Sequence, residues 1–172
     1  MLVETERLRL RRFVPQDAAV LDRWAASPDF QRHLGPSRPG AENLRRYEAH
    51  WEQHGFGIAA VEWKETGELV GRSGVAFHRI WPRDPEVGWA IDPAWWGRGI
   101  ATEAGRASVE WAFGPLGYPR VVSICVPGNV ASRRVMAKLG FRVLEVMLDS
   151  PWGELWIHAL DRRQPDPRPR SG

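Results

Sequence analysis

Trp96-Gly97-Arg98-Gly99-Ile100-Ala101-Thr102-Glu103-Ala104 is the stretch that decides how this chain reads. It follows a strand-like run, Glu86-Val87-Gly88-Trp89-Ala90-Ile91, and opens a helix-like run from Thr102 to Phe113. A glycine-punctuated turn between strand and helix leaves backbone N–H groups unpaired and converging, and the helix dipole adds partial positive charge there. The natural guest of such a turn is a phosphate or a diphosphate. Glycines suit it because a Cβ would block close approach and disfavour the positive φ that curls amides into a nest.

Two common phosphate devices fail on these residues. A P-loop needs Lys-Ser or Lys-Thr after its second glycine, and Ile100-Ala101 stands there. A dinucleotide fingerprint needs a small third residue and an early first strand, but Thr102 holds that place and the motif lies past mid-chain. Working outward, Asn129-Val130-Ala131-Ser132-Arg133-Arg134-Val135-Met136-Ala137-Lys138-Leu139-Gly140-Phe141 forms a second block, and Glu4-Thr5-Glu6-Arg7-Leu8-Arg9-Leu10-Arg11 a third. In this order the three blocks resemble the GNAT superfamily of acetyl-CoA-dependent N-acetyltransferases. Its diphosphate loop reads Gln/Arg-x-x-Gly-x-Gly/Ala, matched here except at Trp96. The second block is similar to Asn-x-x-Ser-x-Arg-x-x-x-Lys-Leu-Gly-Phe of the RimJ/RimL-type branch, which modifies ribosomal-protein N-termini.

The resemblance implies a mixed α/β, GNAT-like fold: about seven strands, splayed between the fourth and fifth, with about four helices. It implies acetyl-CoA as acyl donor and a primary amine as acceptor, either a protein N-terminal α-amine or a small molecule. Pantetheine would lie in the splay, with an amide near Trp89, Ala90 or Ile91 polarising the thioester. The backbone of Arg98, Gly99, Ile100, Ala101 and Thr102 would hold the diphosphate, and Arg134 a nucleotide phosphate. Asn129 would cap the helix that begins at Val130 and also bond pantetheine. Ser132 would take the role of hydrogen-bonding the sulfur, since Met136 occupies the position where many relatives carry a tyrosine. A homodimer is expected by the same analogy.

The proton acceptor has to be chosen from the residues themselves. Glu86 is the first candidate, because a partly desolvated carboxylate can relay a proton from an ammonium. His78 and His33 are the alternatives, since imidazole titrates near neutrality. Gly88 is the expected site of a strand bulge. Glu103 reads as an acidic residue stabilising a helix N-terminus. The competing class is a non-catalytic acyl-CoA-binding module, which the missing tyrosine would suit.

Composition narrows the field further. The chain has 172 residues with 43% hydrophobic and 26% charged content, ordinary for a globular protein. No apolar run is long enough to cross a bilayer and no signal-peptide pattern is found, so a cytoplasmic location is expected without a membrane partner. The net charge of +3 is spread among interspersed acids, which argues against nucleic acid. The single cysteine, Cys125, lies in an apolar strand and reads as a small buried hydrophobe. No metal-ligand pattern is present. One domain is expected over residues 1–161, followed by a Pro- and Arg-rich flexible tail over 162–172.

Remaining elements follow from periodicity and breakers. Leu8-Arg9-Leu10-Arg11 alternates as a strand. Pro15 opens a helix to about Ala26, with Ala19, Leu21 and Trp24 as its apolar side. Gly35 to Gly40 reads as a loop and Ala41 to about His54 as a helix, a region that the family resemblance implies frames the acceptor. Phe56 to Trp63 and Leu69 to His78 form a hairpin around Glu65-Thr66-Gly67-Glu68. Trp81-Pro82-Arg83-Asp84-Pro85 reads as a turn. Arg120 to Val126 is a buried parallel strand, and a final hairpin turns around Ser150 to Gly153.

Overall fold

The computed structural model describes residues 3–34 and 38–162. Eight strands form one sheet: β1 (Val3–Glu4), β2 (Leu8–Arg11), β3 (Ile58–Trp63), β4 (Glu68–His78), β5 (Trp81–Ile91), β6 (Arg120–Cys125), β7 (Arg142–Ser150) and β8 (Gly153–Asp161). Their order is β1-β2-β3-β4-β5-β6-β8-β7. Five helices accompany them: α1 (Ala18–Ala25), α2 (Pro28–Gln31), α3 (Gly40–His54), α4 (Ile100–Phe113) and α5 (Val130–Leu139). The count exceeds the expected seven and four because β1 and α2 are two and four residues long, too short to print a period in sequence.

Every neighbouring pair is antiparallel except β5 and β6, which α4 joins as parallel strands with a single registered pair, Glu86↔Val122. Beyond that pair the two strands part. This is the splay expected between the fourth and fifth strands, renumbered by the extra β1. Cores form on both faces. On one, Val87, Val109, Ala112, Val121 and Met136 pack together, continued by Leu8, Leu10, Ile91, Ile100 and Ala104. On the other, Leu21, Trp24 and Phe30 meet Ala60 and Leu69. Burial of these apolar faces is the main stabilising term.

Several sequence expectations need correction. Trp81 to Pro85 is the first half of β5, not a turn; the turn is Arg79-Ile80. Prolines are tolerated there because the ladder with β4 is interrupted between His78↔Trp81 and Ala76↔Glu86. The bulge expected at Gly88 is not there: the register runs unbroken through Gly74↔Gly88, and the irregularity lies nearer the start of β5. Pro15–Asp17 is a 3₁₀ turn before α1, and Ala19 is exposed while Leu21 and Trp24 are buried. The Gly35–Gly40 loop falls partly, and the tail from 163 wholly, outside the described residues.

Candidate active site

The glycine loop is built as its residues require. Asp92 accepts hydrogen bonds from Ala94 N–H at 3.0 Å and Trp24 Nε1 at 2.7 Å, fixing the exit from β5. Trp96 Nε1 donates to the Ile91 carbonyl at 2.7 Å. Gly97 and Gly99 both have φ of 78°, and Gly99 caps α4. Thr102 and Glu103 donate their N–H groups to the Gly99 carbonyl at 3.1 Å. The amides of Gly97, Arg98, Gly99, Ile100 and Ala101 have no acceptor among the described residues. Five consecutive open amides at a helix N-terminus fit a diphosphate; Thr102 stands apart because its amide is already engaged. Arg98 is exposed and its guanidinium lies 4.6 Å from the Trp95 ring.

Glu103 braces this loop. It accepts from Thr5 Oγ1 at 2.6 Å, Arg7 N–H at 3.0 Å and Arg7 Nε at 2.8 Å, while Arg7 Nη1 donates to the Arg98 carbonyl at 3.0 Å. Burial pushes its carboxyl up, but the hydrogen bonds from Thr5 and Arg7 outweigh that and hold it below the ordinary range.

A cavity of about 620 Å³ opens at the splay. Its walls bring together Glu86, Gly88 and Trp89 from β5, Ser123, Ile124 and Cys125 from β6, and Asn129 and Ser132 from the start of α5. Ladder phase tells which β5 amides face the gap. Asp92 N–H donates to the Val70 carbonyl at 2.9 Å. By alternation, residues 86, 88 and 90 exchange bonds with β4. The amides of Val87, Trp89 and Ile91 therefore point toward β6, and Ala90 turns its own toward Arg72 on β4. Ala90 and Ile91 lie beyond the cavity lining, as do the loop residues and Arg134.

Glu86 sits where the strands part. Its Oε1 accepts from Ile124 N–H at 3.4 Å, reaching across the gap to an amide that would otherwise continue the parallel ladder. Burial pushes its carboxyl above the ordinary range, with His78, the Ile124 amide and Arg72 pulling the other way. His78 and His33 also line the cavity; His78 Nδ1 accepts from Ile80 N–H at 3.3 Å.

Asn129 Oδ1 accepts from Ser132 N–H at 3.1 Å, capping α5. Met136 is 1% exposed and belongs to the core. Arg134 is exposed and has no ion-pair partner among the described residues. Burial pushes the Cys125 thiol up to about 11, Arg133 lowering and Glu86 raising it further. The sequence reading missed Arg72, which lies in the cavity wall; the lone charged residue in the Leu69–Ala76 run was its available signal.

Open amides at the start of α4, a parted parallel pair and a carboxyl at the opening together suit an acyltransferase that draws on an extended thioester carrier. The acetyltransferase (GNAT) domain family matches residues 7–142, and the chain belongs to that family. It is 31% identical over 153 residues to the N-acetyltransferase YoaA of Bacillus subtilis (strain 168), covering 82% of each chain. An acetyltransferase from Agrobacterium tumefaciens str. C58 superimposes with a TM-score of 0.84 at 27% identity, covering 94% of this chain and 95% of that one. The RimL ribosomal L7/L12 alpha-N-protein acetyltransferase in complex with coenzyme A shares the fold, with a TM-score of 0.78 at 16% identity over 94% of this chain and 98% of that one. The protein is an acetyl-CoA-dependent N-acetyltransferase.

Proposed function

We propose that the chain transfers the acetyl group by direct attack of a primary amine, within one complex holding both substrates, and that the amine is the α-amine of a peptide N-terminus. The observation that carries the reading is the placement of the Glu86 carboxyl and the β6-facing amides of Trp89 and Ile91 at one split in the sheet. Gly97 to Ala101 hold the diphosphate through their amides, and Arg98 and Arg134 add charge toward phosphates. Pantetheine runs along the split beside Trp89 and Ile91, reaching Asn129 and Ser132. The Trp89 amide polarises the thioester carbonyl.

Glu86 takes the ammonium proton, directly or through one water, and the free nitrogen lone pair attacks the carbonyl carbon. The C–S bond breaks, the excess proton on nitrogen passes to the departing sulfur so that the products are the neutral amide and the CoA thiol, and Ser132 Oγ hydrogen-bonds the sulfur as it leaves. An ordinary thiol titrates near about 8.5, so departure needs no strong acid, and Met136 in place of a tyrosine does not disable the step. The raised Cys125 thiol is a poor nucleophile, which supports attack without an acyl-enzyme. The second and third blocks of sequence similarity support the RimJ/RimL-type assignment of the acceptor.

The test is thiol release from acetyl-CoA with peptides of different first residues and with small amines, followed by intact-protein mass spectrometry. Acetyl on the peptide α-amine and none on the enzyme is expected. An acetyl group trapped on Cys125 or Ser132 would refute direct attack.

A further inference from the structure

The α1–α3 side of the cavity carries a charge pattern that acetyl transfer alone does not explain. Its described lining holds five arginines, Arg32, Arg38, Arg46, Arg72 and Arg79, against one carboxyl, Glu86. Arg32 is paired with Asp29, and Arg38 with Glu42 at 2.6 Å. Arg46, Arg72 and Arg79 have no carboxylate partner among the described residues.

Arg72 is the informative one. It sits mid-strand on β4, between Ala60 of β3 and Ala90 of β5, half-buried. The neighbouring Ser73 hydroxyl meets Ser108 of α4 at 3.0 Å, so Arg72 points to the opposite face, where Tyr47 of α3 lies over it with 5.9 Å from guanidinium to ring. A partly desolvated guanidinium that feels Glu86 only through space, with no carboxylate in hydrogen-bond contact, is unfavourable, and a bidentate carboxylate or phosphate relieves that cost. Arg72 cannot serve the diphosphate cradle, which opens at the start of α4 on the other face.

Glu86 shares the face of Arg72. Residues 72 and 90 are opposite each other, as are 76 and 86, so along β5 the two side chains stand about 13 Å apart at their roots. Gly88 lies midway, and a Cβ there would meet only Glu86 Oε1 at 4.0 Å. The floor between carboxyl and guanidinium is therefore open.

Building on the acetyl-transfer reading above, we infer that the acceptor amine carries an acidic group a few bonds away. The amine lies over Gly88 beside Glu86, and Arg72 holds the acid, with Arg46 and Arg79 drawing it in from the rim. Polycationic amines are repelled by the same residues. Arg72 is a specificity residue, and the acid it holds is either a side-chain carboxylate near a peptide N-terminus or the carboxylate of a free acidic amino acid.

The experiment measures kcat/KM with acetyl-CoA for peptides led by Ser-Asp-Glu, Ser-Ala-Ala and Ser-Lys-Arg, and for aspartate, glutamate, spermidine and kanamycin. The acidic acceptors are expected to exceed the basic ones by at least about tenfold, with the peptide and amino-acid arms separating the two sources. Arg72→Gln should lower the acidic-to-neutral ratio at least about tenfold through KM. Arg72→Lys should restore part of it, and the surface variant Arg79→Gln gives a smaller loss should Arg72→Gln fold poorly. Preference for Ser-Lys-Arg, spermidine or kanamycin would overturn the inference while leaving acetyl transfer intact. Equal losses on all acceptors in folded Arg72→Gln would do the same. Absence of thiol release with every amine would instead remove the underlying reading.

Discussion

Replacing Glu86 with Gln tests the catalytic reading at its centre. The change is isosteric, and the Gln carbonyl can still accept the Ile124 amide that Glu86 Oε1 receives at 3.4 Å, so the splay keeps its shape. What disappears is the proposed base. General-base removal costs about 10²- to 10⁴-fold, equivalent to about 3 to 5 kcal/mol of transition-state stabilisation. Because burial raises the folded carboxyl's pKa, wild-type kcat/KM should rise with pH through a limb above the ordinary carboxylate range. The Gln variant should retain only the limb of the acceptor amine. Stability moves the other way: between the ordinary and the raised value the native state holds a proton that the unfolded chain has lost, so wild-type stability falls as pH rises through that window. Gln escapes this loss and should be at least as stable at neutral pH. Thiol-release kinetics across pH, urea unfolding and calorimetry with acetyl-CoA read these separately. A folded Gln variant that binds acetyl-CoA normally and keeps its rate within about threefold would refute Glu86 as proton acceptor.

Four further outcomes are expected. Gly99→Ala forces a non-glycine residue to φ of 78°, costing about 1–2 kcal/mol; calorimetry should show CoA affinity falling about tenfold while the fold survives, since the added Cβ meets only Arg7 Nη2 at 3.5 Å. Glu103→Ala removes three hydrogen bonds and the 2.6 Å Arg7 ion pair, and with Arg7 partly solvated urea unfolding should register about 2–3 kcal/mol. Its lowered pKa makes that contribution complete above the ordinary carboxylate value and lost as pH falls through the folded one. His50 shares Nδ1 with the Phe56 carbonyl at 2.8 Å and accepts the Phe77 amide on Nε2 at 3.1 Å; burial lowers its pKa, so this clasp is intact above the ordinary imidazole range and opens as pH falls, seen as faster hydrogen exchange at Phe77. Gly88→Val should leave melting unchanged yet raise the KM for the acceptor about tenfold or more by filling the floor beside Glu86; an unaffected KM would place the amine elsewhere.

Much of the fold is legible in local residue chemistry. The glycines of Gly97 and Gly99 need left-handed backbone, Asn129 caps α5, and Gly140 ends it with φ of 92°; each is a short-range rule that sequence prints directly. The two prolines of β5 misled because they argue against a central strand, while the bulge that excuses them depends on β4 and on the amide of Phe77 being taken by His50. Gly88 was read as the bulge for the same reason: a glycine in a strand announces room, but only the register says what the room is for. The site divides along the same line. The loop amides were readable, whereas Trp89 and Ala90 could be separated only once the Asp92–Val70 bond set the ladder's phase. Arg72 gained meaning only from its neighbours across two strands.

The brace around Glu103 carries a consequence for how the molecule comes into being. Thr5 and Arg7 reach acceptors 91 to 98 positions later in the chain. During synthesis those early residues leave the ribosome long before their partners exist, and closing so long a span is entropically slow. The turn at the start of α4 therefore cannot be braced until residue 103 has been made, and a chain ended short of it lacks the carboxylate that Thr5 and Arg7 need.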